Sequence, residues 1–110
     1  MSLGRGQYAN RRDGDVVDFE VDLNHDTVAL KTMATRGCGA ATRAAGELTR
    51  WAHGKTPEDA ARIEPRELIQ RLHLIPDEER CAFTAIAAFR AALLDAHTRE
   101  LPETAVEGQS

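Results

Sequence analysis

Cysteine, aromatic residues and long apolar runs are all scarce in this 110-residue chain. It has two Cys, one Trp, one Tyr and three Phe. Cys38 and Cys81 are too few for a disulfide framework, and their separation fits no local zinc pattern such as C-x-x-C. With aromatics at 5%, the core has to be built from small aliphatic side chains, alanine above all. No window approaches the roughly 18 consecutive apolar residues of a membrane span, and the first residues lack the basic-then-apolar order of a secretory signal. The expectation is a cytoplasmic protein without membrane contact. A basic surplus is missing too: 14 Lys and Arg against 18 Asp and Glu leave a net charge of −4, which argues against nucleic acid as a partner.

What remains is an apolar content of 42% on a chain of single-domain length. Residues 1–12 hold two glycines, three arginines and no periodic apolar pattern, and read as a flexible or irregular N-terminal arm. The domain is expected over 13–100, with a frayed tail over 101–110. From Asp15 the alternation is strict: Val17, Phe19, Val21 and Leu23 share one face, the period of two of a strand buried on one side. Asn24, His25 and Asp26 supply turn chemistry, and Thr27 to Thr35 reads as the returning strand of an antiparallel hairpin. A lone hairpin is barely stable, so its apolar face requires helices.

Those helices follow. Cys38, Ala41, Ala45, Leu48 and Ala52 recur at three and four, and Gly54 is placed to close that helix. Thr56-Pro57 and Glu64-Pro65 each open a short helix with proline at its first position, the second ending near Leu72. After a stiff link at Leu74 to Pro76, acidic residues 77–79 favour the positive end of a last helix, whose apolar stripe is Ala82, Ile86, Phe89, Leu93 and Ala96. The fold class is therefore α+β: a small antiparallel sheet of two or three strands packed on a bundle of helices.

By count alone the two cysteines read as small buried apolar residues. Their positions say more, because both fall at or near a helix N-terminus, where a thiolate is stabilised, and the thiolate is the form that attacks electrophiles and binds metals. Arg36 and Arg80 add positive charge beside them. Trp51 is expected to pack, and His25, His53 and His97 to be solvated. His73, on the way to Cys81, is an acceptable metal donor by chemistry but reads first as structural. No motif fixes a base or an oxyanion hole beside either cysteine, so thiol catalysis has weak support in the residues.

At this point a family resemblance enters. The stretch from Gly14 to about His97 resembles the NifU/IscU-type iron–sulfur cluster assembly scaffold family, through GDVVDFEVDL, RGCGAA, ELTRWAHGKTPEDA and LHLIPDEERCAFTAIAAFRAAL in that order. The resemblance implies a three-stranded antiparallel sheet on helices, with cysteines converging at one tip to hold a nascent cluster. Cys38 falls on the second family cysteine and Cys81 on the third, a position that also accepts persulfide sulfur. The family's A-C-G-D motif reads Arg12-Asp13-Gly14-Asp15, so Asp13 stands at the first cysteine and Asp15 at the retained aspartate. Arg80 replaces the histidine before the last cysteine and has no lone pair for a metal. The family's N-terminal helix has no expected counterpart. The L-P-P-V-K segment that recruits an Hsp70-type chaperone in some members reads Leu74-Ile75-Pro76-Asp77-Glu78, with an acid in place of the lysine, which speaks against that recruitment.

The resemblance thus implies a carrier and not an enzyme, holding an iron–sulfur cluster, [2Fe–2S] favoured, or iron alone, with zinc as a substitute. The partners it implies are a cysteine desulfurase and a client apoprotein. Since a cluster wants four soft donors, three arrangements stay open. Two copies each give Cys38 and Cys81 across a homodimer interface, or one chain uses Cys38, Cys81, Asp13 and Asp15. In the third, the ligand set is degenerate and the chain is a protein-binding adaptor in metalloenzyme maturation.

Overall fold

A computed structural model describes residues 2–100 except 11, 13, 25 and 38. Three antiparallel strands, β1 (Ser2–Asn10), β2 (Asp15–Asn24) and β3 (Thr27–Arg36), lie in the order β1-β2-β3. Four helices follow: α1 (Gly39–Ala52), α2 (Pro57–Ala61), α3 (Pro65–Leu72) and α4 (Glu79–Glu100), with one 3₁₀ turn at Pro76–Glu78. This is the expected α+β architecture, with three strands.

The β2 alternation does what its period requires. Val17, Phe19, Val21 and Leu23 are all buried, while the intervening positions are partly exposed. Phe19 meets Phe89 of α4 edge to face, ring centres 6.4 Å apart, in a core otherwise made mostly of alanine, valine, leucine and isoleucine. On α4, the expected stripe of Ala82, Ile86, Phe89, Leu93 and Ala96 is buried throughout. Helix α4 lies across β1 and β2, and α1 lies against β3. Thr32 and Thr49 share a hydrogen bond of 2.9 Å across that second contact. The β2–β3 register shifts at Asp18/Phe19, so Met33 is the extra residue of a bulge in β3 and stands partly exposed.

The helix ends follow the expected chemistry. Thr56 Oγ1 accepts from Asp59 N at 3.1 Å with Pro57 behind it, and Glu64 N donates to Glu67 Oε1 at 3.1 Å ahead of Pro65. Gly54 takes a left-handed φ of 84° just past α1, and its N–H donates to Val28 O at 2.8 Å. Glu47 of α1 accepts from Arg71 of α3, whose guanidinium lies 4.2 Å from the centre of the Trp51 ring; Trp51 therefore packs, as expected.

One expectation fails. The irregular arm over residues 1–12 is instead strand β1, paired with β2 from Ser2↔Leu23 to Asn10↔Asp15. Its inner positions are Gly4 and Gly6, both buried, where a Cβ would overlap the α4 backbone at Ala96 N and at Ala92 N. The period of two is present but written in glycine, because the alanine face of α4 comes so close that only hydrogen fits. The sheet therefore includes Ser2–Asn10, ahead of the expected start at residue 13. The tail over 101–110 and the turn residue His25 lie outside the described residues.

Candidate metal centre

The β1–β2 connection, the end of β3 and the start of α4 meet at one end of the sheet. The β1–β2 turn is closed by Gly14 N donating to Asn10 O at 2.8 Å, with Gly14 at φ 72° and Arg12 N donating to Asn10 Oδ1 at 3.0 Å. That turn delivers Asp15 as the first residue of β2, opposite Asn10. From the other side, Arg43 of α1 binds Glu78 at 2.9 Å, and Glu78 accepts from Ile75 N at 3.2 Å. The 3₁₀ turn is thereby held against α1 just before α4 begins. Cys81 sits in the first turn of α4.

These elements bring Cys81 and Asp15 together across 66 residues of sequence. The Cys81 thiol donates to Asp15 Oδ2 at 3.3 Å, with the two residues 2% and 1% exposed. Asp15 is one of only two buried polar residues among those described, the other being Thr84. A carboxylate is costly to bury, so its place is set by what it binds and not by packing. Gly37 closes the site. It has φ 121°, and a Cβ there would overlap Asp15 Oδ1. The first glycine of G-C-G is therefore required twice, by backbone conformation and by contact with the carboxylate.

Of the sequence-predicted ligands, the structure brings Asp15 and Cys81 into contact, while Asp13 and Cys38 lie outside the described residues. Arg36, opposite Val16 at the end of β3, and Arg80, directly before Cys81, are both exposed. His73 is exposed at the C-terminus of α3, with a left-handed φ of 53° and its N–H on Gln70 O; its role there is to end the helix. His53 and His97 are exposed, as expected. Among the described residues no three of His, Cys, Asp and Glu gather as a metal site. Sequence reading missed the glycine roof over Asp15; the positive-φ demand of a Gly just past a strand end was its available signal.

Chemically, a buried thiol donating to a buried carboxylate forms a half-site for a cation. A metal held at about 2.3 Å from sulfur and 2.1 Å from oxygen at a tetrahedral angle sets those donors about 3.6 Å apart. The observed 3.3 Å is close to that bite.

The chain was compared with known proteins. The NifU-like N terminal domain matches residues 1–102. Iron sulfur cluster assembly protein 1, mitochondrial, of Kluyveromyces lactis is 32% identical over 96 residues, 86% of this chain and 53% of that protein. The iron-sulfur cluster assembly scaffold protein IscU of Rickettsia prowazekii is 30% identical over 95 residues, 86% of this chain and 72% of its own length. Its namesake in Escherichia coli is 27% identical, again over 86% of this chain and 74% of its own. The chain spans about half the length of the Kluyveromyces relative. No helix of the described residues is long and apolar enough to cross a membrane.

Proposed function

Because the chain belongs to the NifU-like N-terminal domain family, we propose that it is an iron–sulfur cluster assembly scaffold, a carrier and not an enzyme. It builds the nascent cluster on Cys81 and Cys38 and hands it to a client apoprotein. The observation that carries this reading is the buried contact of Cys81 with Asp15 under Gly37. The Cys81 thiolate and the Asp15 carboxylate would hold iron together, the thiol proton leaving to solvent as the metal binds.

Cys38 follows the roof glycine Gly37 in the sequence and supplies the second thiolate. Asp13 stands one residue before Gly14 and adds a hard oxygen donor that weakens the hold on iron. A weak hold suits a protein that must release its cargo. Sulfur comes from the persulfide of a cysteine desulfurase: the Cys81 thiolate attacks its outer sulfur, the desulfurase cysteine leaves as a thiolate, and a two-electron reductant of the dithiol class then releases the transferred sulfur as sulfide. The product is a [2Fe–2S] cluster, and zinc can occupy the same donors in place of iron.

Anaerobic reconstitution with ferrous iron and sulfide tests the reading by visible absorption and iron analysis. The wild-type chain is expected to retain iron and colour, with Cys81→Ser and Cys38→Ser each losing most of both. Equal iron on all three chains overturns it. Loss of iron everywhere, with desulfurase binding intact in the double serine variant, selects the ligand-poor adaptor instead.

A further inference from the structure

The two thiols of the candidate centre belong to the starts of two helices that pack against each other. Gly39, the residue after Cys38 in the sequence, opens α1, and Cys81 is the third residue of α4. Near these starts the buried side chains are mostly alanine: Ala40, Ala41 and Ala44 on α1, Ala82 and Ala85 on α4. Methyl groups make shallow ridges, so packing alone does little to fix how far one helix start lies along the other.

Polar ties supply what the packing lacks. Thr42 and Arg43 are neighbours on α1, and each reaches a different element. Thr42 Oγ1 lies 3.2 Å from Thr35 Oγ1 of β3, which braces the two sides of the G-C-G corner. Arg43 Nη2 donates to Glu78 Oε2 at 2.9 Å. Glu78 is the last residue of the 3₁₀ turn and directly precedes α4. Its other oxygen, Oε1, accepts from Ile75 N at 3.2 Å, so one carboxylate both caps the turn and receives the guanidinium from α1. The two side chains are 49% and 29% exposed. An ion pair of that exposure adds little to global stability, and its effect lies in what it aligns.

We propose that Arg43 and Glu78 are positioning residues of the metal centre, their ion pair fixing the start of α4 against the start of α1 so that the thiols of Cys81 and Cys38 reach one metal. This rests on the reading that both thiols ligate. Neither Arg43 nor Glu78 is itself a ligand. Alignment and charge predict opposite signs at Arg43. Removing a positive charge near a cation site tightens binding if the pair acts only through its field. If the pair sets the thiol spacing, the same removal weakens binding.

Anaerobic titration of the apo-protein with Co²⁺ tests the proposal, read by sulfur-to-cobalt charge-transfer absorption and by competition with a chromophoric chelator. Gln at 78 keeps an oxygen for Ile75 N, and Lys at 43 keeps the charge on Glu78. Urea unfolding verifies that each variant is folded. Co²⁺ affinity is expected to fall about 3- to 5-fold in both Arg43→Gln and Glu78→Gln, to fall no further in the double variant, and to stay near wild type in Arg43→Lys. Unchanged or tighter binding in Arg43→Gln overturns the proposal. So do losses that add in the double variant, or an Arg43→Lys chain as weak as Arg43→Gln. In each of these cases the wild-type thiolate signal, and its loss in Cys38→Ser and Cys81→Ser, leave the reading of the centre standing. No thiolate signal on the wild-type chain, or an equal one on the serine variants, overturns that reading and the positioning role with it.

Discussion

At the scale of single residues, the site is defined by what Gly37 and Asp15 do to each other. An alanine at 37 must adopt a left-handed φ of 121° and push into the carboxylate, so Gly37→Ala is expected to lower stability by about 1–3 kcal/mol in urea unfolding. It should also reduce the iron retained after reconstitution. Gly39→Ala is the matched control, because nothing lies within 4 Å of a Cβ there. The two glycines of G-C-G look alike in the sequence. They differ because one ends a strand against a buried acid and the other opens a helix toward solvent. Cys81 and its helix-start position were legible from the acidic run and the apolar stripe behind it. Its partner was not, since no local pattern links residues 15 and 81; only the closing of β2 against α4 does so.

At the scale of elements, β1 and α4 make a joint that depends on the absence of side chains. Gly6→Ala places a methyl group in the α4 backbone at Ala92 and is expected to cost about 1–3 kcal/mol. Gly46→Ala, in the exposed interior of α1 with open space around it, should instead stabilise by about 0.8–1 kcal/mol. Urea denaturation of the pair reads opposite shifts from the same substitution. Two carboxylates also tie elements together. Asp95 of α4 accepts from the Arg5 N–H of β1 at 2.9 Å and from Arg99, and the first of these holds it below its ordinary value of 3.8. Glu47 of α1 is held below 4.5 by hydrogen bonds from Arg71 of α3 and then from Arg50. Groups with lowered folded-state values contribute stability that is fully present above their ordinary values and lost as pH falls through the folded ones. The urea midpoint is therefore expected to drop on acidification below about pH 4.5, and to drop less in Asp95→Asn and Glu47→Gln. The same strand shows why element reading failed at the N-terminus. Apolar periodicity finds faces made of side chains, and the buried face of β1 consists of two hydrogens and a half-exposed tyrosine.

At the scale of the whole molecule, two cysteines per chain face a cluster that wants four thiolates. If two copies share one cluster, reconstitution should convert monomer to dimer, and light scattering on the filled protein should give twice the chain mass, about 24 kDa from a 12.1 kDa protomer. A filled monomer would place the remaining ligation on Asp13 and Asp15. By itself the sequence determined the α+β class, the hairpin, the capped helices and Cys81 at a helix start, because periodicity, proline and capping residues act over a few positions. Tertiary structure alone decided that the N-terminal segment is a strand, that Asp15 is the acid on the Cys81 thiol, and that Tyr8 and Phe83 share a groove. The last two join residues more than 60 positions apart, and the first depends on Gly4 and Gly6 packing against Ala96 and Ala92. Such contacts are set by how closely the alanine face of α4 approaches the sheet, a distance that no local pattern carries.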